Sequence, residues 1–181
     1  MTNKIFPIIP ASASTYLAMS GIFLVMLIPL IALGFSCCQH IKPFSRIAFI
    51  ELSGMVLIIA VGALFAYFGY SARNTKFVIS EQGLRIKGCL YGRSIPKDSL
   101  ITEDIQIMDL LHDDTYRPTR RTNGVGLPGY LEGWFRLNTG EKALVFLTAK
   151  TRVVYIPTKS GYSVLLSVAE PEGFLRVINQ L

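Results

Sequence analysis

Two stretches without a charged side chain lie near the N-terminus, and they constrain the chain more than anything else in it. Leu52 to Ala72 is uncharged over 21 positions, between Glu51 and Arg73. Ile5 to Gln39 is also uncharged and is densest in apolar residues from Tyr16 to Phe35. A helix rises about 1.5 Å per residue, so roughly 20 apolar residues cross a hydrocarbon core about 30 Å thick. Both stretches meet that length. The sequence therefore predicts an N-terminal segment at 1–15, transmembrane helices at 16–36 and 47–72, a short loop at 37–46, and a soluble domain at 76–181.

The two parts differ sharply in charge. The first 72 residues hold only Lys4, Lys42, Arg46 and Glu51, whereas the rest holds fifteen Lys or Arg against eleven Asp or Glu. That bias is too mild for nucleic acid and suits a domain beside an anionic leaflet. Lys4 and Ala11-Ser12-Ala13 resemble the ends of a signal peptide. However, the apolar stretch between them is short and holds Pro7, so an uncleaved span is the reading. Lys4, Arg73, Lys76, Arg85 and Lys87 flank the termini side, against Lys42 and Arg46 at the connecting loop. By the positive-inside rule the chain is a multi-pass protein of the cell inner (plasma) membrane with its soluble domain in the cytoplasm.

Within the spans, Gly54 and Gly62 are small residues suited to close helix packing, and Glu51 reads as an interfacial carboxylate. Cys37, Cys38 and Cys89 show no CxxC spacing, which argues for reduced thiols and against disulfides, zinc or another metal site.

After Arg73 the apolar pattern begins to alternate. Phe77–Ile79 and Leu84–Lys87 read as a hairpin turning at Gly83, followed by strands at Leu90–Ile95 and Ile105–Leu110. A loop from His112 to Tyr130 comes next, then strands at Trp134–Leu137, Ala143–Leu147, Arg152–Pro157 and Tyr162–Val168. Pro171 to Leu181 reads as an amphipathic helix, with Phe174, Val177, Ile178 and Leu181 on one face. The expected fold is an α+β membrane protein. Its two transmembrane helices precede about seven antiparallel strands in a curved sheet or barrel with a capping C-terminal helix.

This order of elements resembles the pleckstrin-homology superfold. The residues Leu90–Pro96, Arg120–Gly124, Pro128-Gly129-Tyr130, Gly133-Trp134-Phe135, Val153–Thr158 and Leu165-Leu166-Ser167 resemble a bacterial PH-like domain family more closely. The resemblance covers the chain from about Phe77 onward. It implies the fold and membrane association, and no chemistry. Eukaryotic PH domains carry a Trp in the terminal helix, whereas Trp134 lies in a strand. Their phosphoinositide pattern is only partly matched by Lys76, Arg85 and Lys87 around the short Glu81-Gln82-Gly83.

The long loop holds the candidate site. Arg117, Arg120 and Arg121 offer planar forks suited to an anionic group, and Thr122 and Asn123 add neutral donors. The competing reading pairs these arginines with Asp113, Asp114 and Glu132. Gly124–Gly129 matches GxGxxG, but Pro128 interrupts it and a strand follows, so it reads as a turn rather than a dinucleotide site. His112-Asp113-Asp114 and Cys89 lack the second cluster that catalysis needs. The sequence thus describes a non-catalytic, membrane-anchored binding or scaffold module without cofactor. Its partners are the bilayer, anionic lipid headgroups or a protein, with a homo-oligomer left open. The alternative is a regulatory or structural subunit of a membrane complex assembled through its helices.

Overall fold

The computed structural model describes residues 3–39 and 46–181. It divides into two compact units, Met1–Thr15 with Ser71–Leu181, and Tyr16–Tyr70. Two helices run through the second unit, α1 (Ala13–Gln39) and α2 (Arg46–Asn74). Both are long and apolar enough to cross a bilayer. Leu24, Ile28, Ile31, Val56 and Leu57 are exposed along them, an arrangement that water disfavours. A Cβ on Gly54 would lie 3.4 Å from Leu33 Cδ1, and one on Gly62 would lie 3.3 Å from Phe23 Cε2. Both glycines therefore serve contacts between the chain's own helices. The connecting loop at 40–45, with the side chains of Cys37, Cys38, Arg46 and Glu51, falls outside the described residues.

The other unit is built on two sheets. The first has four strands in the order β1 (Lys4–Pro7), β2 (Lys76–Ser80), β3 (Gly83–Lys87) and β4 (Ser94–Pro96). The second takes β5 (Gln106–Met108), β6 (Pro118–Leu127), β7 (Tyr130–Leu137), β8 (Lys142–Leu147), β9 (Val153–Pro157) and β10 (Ser163–Leu166). Its spatial order is β5-β9-β10-β8-β7-β6. Helix α3 (Pro171–Ile178) follows, with Pro171, Phe174 and Ile178 buried.

The expectation of about seven antiparallel strands needs correction. The described residues form ten strands in two sheets with no closed barrel, and β10 runs parallel to β8. The parallel pair arises because β10 folds back on β9 and then slots between β9 and β8. Two of the extra strands come from segments without a strand-like pattern: β1 from the N-terminal segment, β6 from the expected loop. Conversely, the strand expected over Leu90–Ile95 shrinks to β4. The chain turns at Cys89–Gly92 instead, where Gly92 N–H donates to the Cys89 carbonyl at 3.4 Å.

One core lies between the two sheets and α3 and includes Phe6, Phe77, Leu84, Phe146, Ile156 and Phe174. A second covers the other face of the six-stranded sheet, with Leu110, Phe135, Val145, Val153 and Leu165. Burial on both faces explains why Ala143–Leu147 and Val153–Ile156 read as continuous apolar runs rather than alternating ones.

The N-terminal strand ties the sheets together. Phe6 pairs opposite Phe77 in the β1–β2 ladder. Ile8 then bridges to Val168, Ile9 N–H donates to the Ser167 carbonyl at 2.9 Å, and Thr148 Oγ1 donates to the Ile9 carbonyl at 2.5 Å. Thus the sheet-bearing unit begins before α1 and resumes after α2, where Thr75 alone separates the helix from β2.

Candidate functional site

The five residues singled out in the sequence lie in and beside a strand, not a loop. Arg120, Arg121, Thr122 and Asn123 belong to β6, which ends the six-stranded sheet, and Arg117 immediately precedes it. The polar composition that reads as a loop is that of an edge strand held by pairing with β7 along its length. Two bulges interrupt the ladder, at Thr119 and Thr122. Both hydroxyls turn back to β7, Thr119 Oγ1 donating to the Arg136 carbonyl at 3.1 Å and Thr122 Oγ1 to the Trp134 carbonyl at 3.0 Å.

These residues do not converge on one point. Arg117 Nη1 donates to Asp114 Oδ1 at 2.8 Å, an exposed pair. Arg120 lies opposite Arg136 and Arg121 opposite Phe135. Directly opposed residues share a face and neighbours on β7 alternate, so Arg120 and Arg121 occupy opposite faces of the sheet. Both are exposed, and neither has an ion-pair partner among the described residues. Asn123 accepts a hydrogen bond from Tyr91 Oη at 2.9 Å. Of the carboxylates weighed as partners, only Asp114 pairs with one of the three arginines. Asp113 instead accepts from the Thr115 N–H, and Glu132 is buried elsewhere.

Glu132 forms a polar centre that the sequence reading missed. It lies on β7 with no exposed surface. Its Oε2 accepts from Ser71 Oγ at 2.8 Å and from Tyr130 Oη, and its Oε1 from the amides of Leu90 at 2.9 Å and Tyr91 at 3.3 Å. Four donors meet two carboxyl oxygens, the full capacity of an acceptor-only group. Ser71 sits in the last turn of α2, and its neighbour Thr75 Oγ1 donates to the Ser71 carbonyl at 2.7 Å. One carboxyl therefore joins the end of the second apolar helix, β7 and the turn before β4. The available signal was the alternation Tyr130, Glu132, Trp134 on one strand face, an acid flanked by aromatics.

Cys89 lies beside this centre. Burial first, and then the negative charge of Glu132, push its thiol up to about 12. The same two causes push the Tyr130 hydroxyl well above its ordinary value. A thiol so protonated is a poor nucleophile, and Cys89 is expected to resist maleimide at pH 7.5 until the domain unfolds. Both shifts favour the neutral forms in the folded state. From about pH 9 upward the unfolded chain loses protons that the folded chain keeps, so stability falls as pH rises. The thermal midpoint should decline above that pH, and Cys89→Ala should remove part of the slope. An unchanged midpoint up to pH 10.5 would contradict the assignment.

Arg93, Lys142 and His112 are already engaged. Arg93 stacks 5.1 Å from the Trp134 ring centroid and Lys142 Nζ lies 4.3 Å from it, which occupies two cations with an aromatic. His112 Nδ1 is 3.0 Å from Asp109 Oδ2 on an exposed turn. Gly124–Gly129 runs along β6 into its turn, and β7 follows it rather than a helix.

The family model for the bacterial PH domain matches residues 75–181. The chain belongs to the bacterial PH domain family. No curated protein and no solved structure matches it. In this bacterial PH domain the matched segment starts at Thr75, so β1 lies outside the match although it completes the first sheet. The matched segment contains Glu132 and all of β6, whereas Ser71 reaches Glu132 from the preceding helix.

Proposed function

We propose that the chain is a membrane-anchored, non-catalytic binding module. Helices α1 and α2 hold it in the cell inner membrane as a multi-pass protein, and its bacterial PH domain lies on the cytoplasmic side. The exposed apolar side chains of both helices and the excess of basic residues on the termini side support this placement. Its β6 edge takes an extended acidic segment of a membrane protein partner.

The observation that carries the reading is the pair of unpartnered arginines on opposite faces of an edge strand. An added strand alternates its side chains between the two faces, so two adjacent carboxylates on it meet Arg120 and Arg121 together. A single headgroup phosphate reaches only one face. A second copy of β6 would set arginine against arginine, and the bulges remove the flat template for unselective pairing. Tethering keeps the partner's effective concentration high, so each contact need be only weak. The reading as a subunit assembled through its helices is less well supported, because Gly54 and Gly62 are already used within the chain.

Photocrosslinkers placed singly at Thr119 and Val125 of the full chain in cells test this reading, with Lys159 as an exposed control. One discrete protein adduct is expected from β6, lost when Arg120 and Arg121 are both changed to Glu. No adduct at either position, or one that survives charge reversal, would remove the proposal. Extraction of membranes with alkaline carbonate checks the anchor separately, since the chain should stay with the membrane.

A further inference from the structure

An open trough of about 410 Å³ lies beside the tip of the β6–β7 hairpin. Leu110, Leu127, Leu131 and Leu147 line it, and Arg117 and Lys150 supply cations. Its volume and its mostly apolar lining with a few polar groups are those of a small-molecule site. Among the described residues the Arg117 guanidinium is held by an exposed pair with Asp114 alone, which is worth little in water and opens readily. Lys150 is exposed and has no ion-pair partner among the described residues.

The position of the trough says what reaches it. Gly129, at the hairpin tip, has a φ of +73°, and a Cβ there would lie 2.2 Å from Thr15 Oγ1. Thr15 is in the first turn of α1. Thr148, another lining residue, is bonded to Ile9, six residues before Thr15. Two of the trough's lining residues thus meet the segment that leads into the first apolar helix. An amphiphile in the adjoining leaflet would meet the leucines with its chain and the two cations with its anionic group.

We propose that this trough binds one anionic phospholipid from the leaflet that the domain faces, its acyl chain against the leucines and its phosphate between Arg117 and Lys150. The inference rests on the membrane-anchored reading. It is independent of the β6 edge, where a protein segment is placed. The ligand gives the domain a second hold on the bilayer, beyond the tether.

The test uses the full chain in vesicles of phosphatidylcholine with or without phosphatidylglycerol. Each lipid is offered in turn as a probe with a diazirine on its acyl chain, and labelled peptides are read by mass spectrometry. Label from the phosphatidylglycerol probe is expected in 127–131 and 147–150. Lys150→Glu should cut that label about fivefold, the size of one partly exposed charge pair. Leu131→Trp should exclude the chain by filling the trough. Vesicle flotation is read on the same samples. Flotation with label confined to the helices, or equal labelling by both lipids, overturns the trough while leaving the anchor intact. Loss of flotation overturns the anchor and the trough together. Free inorganic phosphate that competes the label away at millimolar concentration would show a phosphate site without a lipid and also overturn the proposal.

Discussion

Glu132→Ala is expected to lower the thermal midpoint of the full chain in detergent by about 15 °C, at roughly 4 °C per kcal/mol for a domain of this size. The substitution removes the acceptor for Ser71 Oγ, Tyr130 Oη and the amides of Leu90 and Tyr91. Each buried donor left without a partner costs about 1–3 kcal/mol, less where water enters the space. Even with two of the four rescued, about 4 kcal/mol is lost, a large part of a typical domain's stability. Glu132→Gln should fall between the two. It keeps the volume and one acceptor oxygen, but sets an amide donor against donors. A Glu132→Ala midpoint within about 2 °C of the parent, well under 1 kcal/mol, would show that this carboxyl does not hold the domain together.

The second large effect is expected at the opposite end of the chain. Phe6 is buried and meets the Phe174 ring edge-on at a centroid distance of 5.3 Å. Phe6→Ala leaves a cavity between β1 and α3, at about 3–5 kcal/mol. Removing residues 1–10 is more severe, because it also strips the ladder from β2 and the links to Ser167 and Ala169. A fragment covering only the family match at 75–181 should therefore lack cooperative unfolding. Supplying residues 3–11 as a peptide should restore a transition. A fragment that unfolds cooperatively by itself would show that β1 is an accessory rather than a member of the fold.

What the sequence reveals here follows the range over which each element is stabilised. The two apolar helices are visible because length and absence of charge are local properties. The β2–β3 hairpin, β8, β9 and α3 are visible for the same reason, each carrying its own turn, apolar run or helical face. β1 is not, because four residues with a proline become a strand only beside β2, a partner about seventy positions away. β6 escapes because arginine, threonine and glycine pack against nothing of their own, and its ladder with β7 supplies the order. The candidate arginines were legible as residues, whereas their division between two faces depends on the register. In the sequence Glu132 is one of three carboxylates that the competing reading pairs with the nearby arginines. Its actual partners come from the end of α2 and from backbone amides at 90 and 91, which no linear spacing brings together.

The place of β1 also bears on how the protein is made. This strand is synthesised before both apolar helices, and β2, the partner it needs, only after them. In the proposed membrane-anchored arrangement, Lys4–Pro7 and β2 share one side of the bilayer only when both helices cross it. Crossing by one helix alone would put the strand and β2 on opposite sides, and the first sheet could not close. On that reading, completion of the domain would act as a check on its own insertion, and the β1–β2 ladder would lock the two crossings in place.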